Sequence, residues 1–563
     1  MLWLLNMPFR RLYQATDDDV TALVDGLLWL PGAHWQDWFS NGHSHFFDSY
    51  PEWPWGLTPF ARPAFQFLIY LTQFIFDRDW ASYLAINYLC IAGIAAVAYT
   101  IARRAFGLRN AASVLAATLV VISPPVLEFS GWTLGYASET LASALVGAAF
   151  LAVVSRRDQL CALLLLLALL TKETAVWAPL AASLAVILRP GPGDSLRGRA
   201  QVVALILVPL VVWLGMRIIL FAGISGSYAT VGYSSLADVV DLVIWKLEHL
   251  HRLFVSQEVL VAEGRGALVD RALMIGTYLV LASLFILWIL SGLRMVVALV
   301  RQALRARQRP TADAAVLATL WAAMGFGFHF TLALDSPRYA TTAVMFAWPA
   351  VVGEVVRRRN TLLNTGLAIC SILIFARASH LVFETNSPYE QPYRIRALHS
   401  IAAMNAALLQ VPAGIDQIYV LSASGLVPAT PEYIQTFLGL KAELIRVVDI
   451  HSYCNDGKQF QSFDHEYADG VVTLNMVLPS DCASFYFDLA GPGSTHVVDG
   501  RIRRGNTMSY EVPEARLIDH KGPLKPALEP GSRMVVHIRP HGPARFIVEG
   551  GGSDGGFAWF DTP

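Results

Sequence analysis

Charge is what this sequence has least of. Only 15% of its 563 residues are Asp, Glu, Lys or Arg, where soluble proteins carry about a quarter. With 55% apolar residues and a mean hydropathy of +0.47, a soluble globular fold of this length is excluded, and lipid must be part of the solvent. The formal net charge is −1, so no basic excess points to nucleic acid as a partner. Cysteine is also scarce. Cys90, Cys161 and Cys370 fall in apolar stretches and read as small core residues. Cys454 and Cys482 lie in the polar C-terminal third, where a disulfide between them requires an oxidising compartment. No secretory signal is evident, because MLWLLNMPF runs straight into Arg10-Arg11. The chain also lacks GxxxxGK[ST], HExxH, GxSxG and any GxGxxG that opens a helix.

What is present is a series of apolar runs, each near the roughly 20 residues that cross a bilayer. They cover about 79–102, 110–127, 138–154, 200–222, 269–293, 313–334, 338–356 and 361–383. Two shorter arms, 160–170 and 175–188, are broken by Thr171-Lys172-Glu173 and predict a helical hairpin. Lys and Arg collect at every second loop: Arg103, Arg104 and Arg109; Arg156-Arg157; Arg189, Arg197 and Arg199; 294–309; Arg357-Arg358-Arg359. Such clusters mark the cytoplasmic side. The segments 17–78 and 222–268, the turn at Asp335-Ser336-Pro337-Arg338 and everything beyond about His380 therefore face outward. Only about nine mostly apolar residues precede Arg10, short of a full span, so the expectation is a mis-set start.

The fold class expected is a polytopic α-helical membrane protein of about eleven spans, with a C-terminal extracytoplasmic α/β or β-rich soluble domain. Residues 1–380 form the membrane module and 381–563 the soluble domain. Strands are predicted at 418–421, 444–450, 471–474 and 534–538. An amphipathic stripe of Leu236, Val240, Val243, Leu247, Leu250 and Phe254 predicts a helix lying on the membrane surface.

Candidate chemistry concentrates on the outer side. Asp17-Asp18-Asp19 precede an amphipathic stretch. One Asp is enough to cap a helix; three adjacent carboxylates repel one another and suit a general base or a cation ligand. Lys172 and Glu173 are the only charges between Asp158 and Arg189, and ionisable groups at such depth line sites. Arg338 and Tyr339 open a later span, and Arg62 precedes Pro63 at the head of a helix; an arginine fork suits phosphate. His43 and His45 form a lone HxH, a weak metal signal that reads more readily as a polar loop. Trp53 and Trp55 belong to a cluster of tryptophans at headgroup depth, able to stack on sugar faces. The basic loops are too short to hold a nucleotide-binding domain, so a small-molecule donor must reach the outer face on a lipid carrier.

The order of these motifs, with "RPAFQFLIYLTQFIF", "LLTKETAVWAPL" and "DSPRYA" following the acidic cluster, resembles the GT-C glycosyltransferases, which include protein O-mannosyltransferases and the aminoarabinose transferase of lipid A. The resemblance covers about residues 10–380. It implies a polyprenyl-phosphate-linked sugar as donor and a hydroxyl of a glycan, lipid or protein as acceptor, with surface glycans ranked first. It also implies a multi-pass enzyme of the bacterial inner membrane; the loop charges place the C-terminal domain on the outer side, which is periplasmic if the source is a Gram-negative bacterium. A phosphate leaves without protonation, so one carboxylate base suffices, unlike the paired carboxylates of glycosidases. Asp17, Asp18 or Asp19 would serve as base in an inverting displacement, with Lys172, Arg338, Tyr339 and Arg62 on the donor phosphate. Glu173, His43, His45, Trp53 and Trp55 would line the site. The resemblance implies no obligatory cofactor and leaves a divalent cation open. The rival readings are a flippase for a lipid-linked sugar and a non-catalytic partner in surface-polysaccharide assembly.

Overall fold

The computed structural model describes residues 62–76, 80–127, 137–189, 195–221, 313–331, 337–383 and 406–422, the strands named below with the turns that adjoin them, and isolated positions elsewhere. Asp17, Asp18, Asp19, His43, His45, Trp53, Trp55, Cys454 and Cys482 lie outside the described residues, as do most of the stretches 222–268 and 269–293.

The helices are α1 (Pro63–Phe76), α2 (Trp80–Arg104), α3 (Asn110–Val121), α4 (Pro124–Leu127), α5 (Ala137–Val154), α6 (Asp158–Thr171), α7 (Ala178–Leu188), α8 (Leu196–Phe221), α9 (Ala314–Thr331), α10 (Thr341–Arg358) and α11 (Thr361–Phe383). Among the described residues, four segments are long and apolar enough to cross a bilayer: Ala85–Arg104, Ala137–Val154, Leu196–Ile219 and Ala314–Thr331. Their outward surfaces are aliphatic, with Ile219 83% and Leu89 70% exposed. That is the arrangement lipid requires and water penalises.

Three of the helices start on capping side chains. Ser195 Oγ accepts from Gly198 N–H at 3.0 Å, Asp313 Oδ1 from Val316 N–H at 2.9 Å, and Asn360 Oδ1 from Leu362 N–H at 2.9 Å. Each satisfies a donor that the first helical turn leaves open.

At the centre stands α10, whose residues 341 to 355 are all buried. It packs against α2, α3, α5, α9 and α11, as expected of a helix apolar on every side. Trp321 of α9 fills the middle of this core. Its ring meets Phe150 at 5.2 Å, Phe346 at 5.5 Å and Trp177 at 5.9 Å, the first and last nearly edge-on. Beside it, Gly325 lets α9 approach α10: a Cβ there would lie 3.1 Å from Ala343 Cβ and 3.3 Å from its Cα, the close backbone contact that small residues permit between membrane helices.

The hairpin expected from the broken apolar run is present. The arm α6 ends at Lys172, whose backbone is extended, and a 3-10 turn (Glu173–Ala175) leads into α7. The return is fixed at the other end, where Arg189 donates to the carbonyl of Val154 at the foot of α5. The helix α8 packs against both arms.

Beyond the helices, the strands β1 (Gln417–Ser422), β2 (Ile445–Ser452), β3 (Ser462–Ala468), β4 (Val471–Val477), β5 (Phe485–Ala490), β6 (Asp499–Arg503), β7 (Thr507–Val512), β8 (Arg533–Ile538), β9 (Ala544–Glu549) and β10 (Phe557–Thr562) form two mixed sheets. One has the order β10-β9-β1-β2-β5 and the other β3-β4-β8-β7-β6. A stack of nearly parallel rings runs from Tyr419 through Phe546 and Phe560 to His465, linking β1, β9 and β10 of the first sheet to β3 of the second. Arg545 grips Asp561 through two hydrogen bonds of 2.7 and 2.8 Å. The hydrogen bonding, and then the charge, of Arg545 hold the Asp561 carboxyl below its ordinary value.

Two expectations follow. Trp321→Ala should destabilise the bundle by about 3–5 kcal/mol, read as a fall in thermal unfolding temperature in detergent, while Leu362→Ala, at a position 82% exposed, should shift it little. Because Asp561 is depressed in the folded state, its pair with Arg545 stabilises the strands above the unfolded carboxyl pKa and is lost as pH falls through the folded one. Arg545→Gln should therefore lower stability at neutral pH and flatten its acid dependence, monitored by near-ultraviolet circular dichroism.

Candidate active site

The bundle sorts its charges to two ends. Arg103, Arg104, Arg109, Arg156, Arg157, Arg189, Arg197, Arg199, Arg357, Arg358 and Arg359 lie at the ends of α2, α5, α7 and α10 or the starts of α3, α6 and α8. These helix ends fall on one side: the helices that the short basic loops join pack side by side, and Gly353 near the end of α10 lies against Phe106 in the turn between α2 and α3. The opposite end holds the start of α5, the tip of the hairpin, α4 and the 3-10 turn (Pro337–Ala340) before α10. Two contacts tie that end together. The hydroxyls of Ser143 and Thr342 are 2.8 Å apart, and Thr341 Oγ1 donates to the Pro125 carbonyl at 3.3 Å.

At this second end, residues far apart in sequence converge on the hairpin tip. Arg62, immediately before α1, donates from Nε to Glu173 Oε2 at 2.9 Å and from Nη2 to Oε1 at 2.6 Å. Both side chains are only 14% exposed. This two-pronged geometry is the strongest form of Arg–carboxylate contact. The neighbouring Thr174 hydroxyl donates to Glu139 Oε1 at 2.9 Å, and Glu139, in the first turn of α5, is buried. An acidic group there meets the positive end of the helix dipole. Lys172, also buried, acts electrostatically on both Glu139 and Glu173. Arg217, near the end of α8, is buried with its guanidinium 5.1 Å from the centre of the Trp213 ring. Its charge is coupled to those of Glu173 and Arg62.

The hairpin tip thus gathers three cations, Arg62, Lys172 and Arg217, around two carboxylates, Glu139 and Glu173. Below them a polar layer continues inward: Thr140 Oγ1 donates to Asn87 Oδ1 at 3.2 Å, both side chains being buried. Burying charge costs several kcal/mol per ion unless it is paired and hydrogen-bonded. An assembly of this density at the end of an apolar bundle is a site candidate on that ground.

Of the residues singled out from sequence, Arg62, Lys172 and Glu173 come together here. Tyr339 is half-buried in the 3-10 turn at the same end of the bundle. Arg338 shares that turn, and its side chain lies outside the described residues. Sequence reasoning missed Glu139 and Arg217. Glu139 opens an apolar run beside Ser138 and Thr140, and Arg217 is a lone charge within the run 200–222; an isolated arginine inside a span is a usable signal. Among the described residues no group of three or more His, Cys, Asp or Glu side chains is placed to hold a metal ion.

No family model and no curated protein matches the chain. Similar solved structures include ArnT from Cupriavidus metallidurans bound to undecaprenyl phosphate, 12% identical, covering 80% of this chain and 92% of that one with a TM-score of 0.44. The apo form of the same protein is 13% identical, with 78% and 88% covered and a TM-score of 0.42. The Archaeoglobus fulgidus oligosaccharyltransferase in its apo form is 14% identical, with 77% of this chain and 62% of that one covered and a TM-score of 0.40.

Breaking the Arg62–Glu173 pair from one side leaves a buried charge alone. Arg62→Gln and Glu173→Gln should each destabilise the protein by about 3–5 kcal/mol. The double variant should lose much less than their sum, checked by a double-mutant cycle on thermal unfolding in detergent.

Proposed function

We propose that the protein transfers a sugar from a polyprenyl-phosphate donor to an acceptor hydroxyl at the membrane face opposite the basic loops, periplasmic in a bacterial inner membrane. The observation that carries this reading is the buried cluster of Arg62, Lys172 and Arg217 at the hairpin tip. Cations fixed at the boundary between an apolar bundle and water suit a ligand with a phosphate head and a hydrocarbon tail. The eleven-span count, the division into 1–380 and 381–563, and a periplasmic C-terminal domain belong to the same reading.

In the step proposed, an acceptor hydroxyl attacks the anomeric carbon from the face opposite the phosphate. The new bond joins that oxygen to the anomeric carbon, and the bond between the anomeric carbon and the phosphate oxygen breaks. The hydroxyl proton passes to one carboxylate of Asp17, Asp18 or Asp19, and polyprenyl phosphate leaves with the electron pair. The configuration inverts. Lys172 and Arg217 stabilise the charge that the phosphate gains as it departs, together with Arg338 and Tyr339 from the later turn. Glu173 occupies two of the donors of Arg62, so Arg62 contributes its charge and holds the hairpin tip against the head of α1. Preorganised cations of this kind act where charge develops, and they need no reorganisation during the reaction. The acceptor is a surface glycan, a lipid or a protein, in that order of preference. Glu139, His43, His45, Trp53 and Trp55 complete the proposed surroundings of the two substrates.

Purified protein, given a radiolabelled polyprenyl-phosphate sugar and membrane extract, should move label to a glycan, lipid or protein. Lys172→Ala should lower kcat by about 10²–10³, and one of Asp17→Asn, Asp18→Asn and Asp19→Asn should abolish transfer. If all three Asp variants keep full activity, the base is wrong. If label crosses the bilayer without being transferred, the protein is a flippase.

A further inference from the structure

The opposite end of the bundle contains a second charged feature that glycosyl transfer does not use. A cavity of about 340 Å³ opens where the foot of α5, the start of α6, the end of α7 and the start of α8 meet. Its floor is aliphatic, formed by Val153, Val186 and Val202 with Ala185. Around it stand Arg156, Arg189 and Arg199, with Asp158 as the carboxylate in the wall. Ser195, which caps α8, also lines it, so the positive end of a 26-residue helix adds to the same field.

The charges here are not balanced as they are at the hairpin tip. Arg189 spends one N–H on the Val154 carbonyl, and its guanidinium is repelled by that of Arg156. Neither Arg156 nor Arg189 has a carboxylate partner among the described residues. Elsewhere on the same face Arg357 and Arg358 both pair with Glu354. Holding like charges together over an apolar floor is unfavourable unless an anion joins them. The guanidinium fork matches the oxygens of a phosphate, and the valine floor suits the glycerol and first methylenes beneath one.

We propose that this cavity is a binding site for the phosphodiester headgroup of an anionic phospholipid from the leaflet on the basic-loop side. The lipid sits between the two feet of the hairpin and α8, with its phosphate bridging Arg156 and Arg189 and its hydrocarbon continuing along the aliphatic surface. Basic pockets between helices at this depth favour anionic over zwitterionic headgroups. The site is separated from the hairpin tip by the length of α6, so it serves to brace the arms rather than to supply the reacting phosphate. Whatever the tip catalyses, this assignment stands or falls on its own.

The test is native mass spectrometry of the full-length protein in detergent, titrated with dioleoylphosphatidylglycerol or dioleoylphosphatidylcholine. The wild type should retain the anionic lipid preferentially. Arg156→Gln/Arg189→Gln should weaken that binding roughly tenfold or more, while Arg104→Gln, an exposed position on the same face outside the cavity, should leave it unchanged. Arg156→Lys/Arg189→Lys keeps both charges and should keep the preference, which guards against reading a folding defect as lost binding. Equal retention of the two lipids by the wild type, or unchanged binding in the glutamine pair, overturns the proposal. Displacement of the lipid by inorganic phosphate overturns the lipid assignment and makes the site one for a soluble anion.

Discussion

Every feature of this molecule answers to one constraint: a charge or polar group surrounded by hydrocarbon must find a partner inside the protein. With so few charges in the chain, each one placed near the bundle has a structural consequence. Among the described residues, the packing around Trp321, Phe150 and Phe346 in the middle of the bundle is apolar. The basic end meets water and headgroups directly. At the other end the charges are drawn beneath the surface, and they remain there because Glu173 locks Arg62 and Thr174 holds Glu139.

The hairpin makes that second arrangement possible. Crossing the membrane with one uninterrupted helix would have placed Lys172 and Glu173 in the middle of a span. By breaking after Thr171 and turning back through three residues of 3-10 helix, the chain delivers both charges to the boundary. It also aims them at α5 and at the head of α1. The same turn brings the end of α7 back to the foot of α5, where Arg189 meets Val154. One break in an apolar run therefore creates both charged regions of the bundle, the tip and the cavity.

Much of this was legible in the sequence, and the reasons are specific. Run length located the helices: the apolar stretch 79–102 is α2, 138–154 is α5 and 361–383 is α11 within a residue or two, because a span must match the bilayer wherever it lies. Lys172 and Glu173 stood out because nothing else charged interrupts their stretch. Strands at 418–421 and 534–538 fall within β1 and β8. What could not be read is convergence. Arg62 and Glu173 are 111 residues apart, and neither residue's neighbourhood names the other. Glu139 reads locally as an ordinary first-turn acid, and only its contact with Thr174 shows otherwise. The run 110–127 was expected as one helix but divides into α3 and α4 at Ser123, where Pro124 and Pro125 cannot continue the donor pattern of α3.

The burial of α10 on every side bears on how the chain is built. This helix is apolar through its buried length but carries Glu354, Arg357 and Arg358 close to its end, and it is absent from the four segments among the described residues suited to crossing alone. It follows α2, α3, α5 and α9 in the chain and precedes α11, and it packs against all five. Its place must be kept open by the four that come first, and its arrival joins them. For a nascent chain, α10 is the keystone: it is the element against which α2, α3, α5 and α9 all pack, and the 3-10 turn that carries Arg338 and Tyr339 is continuous with it.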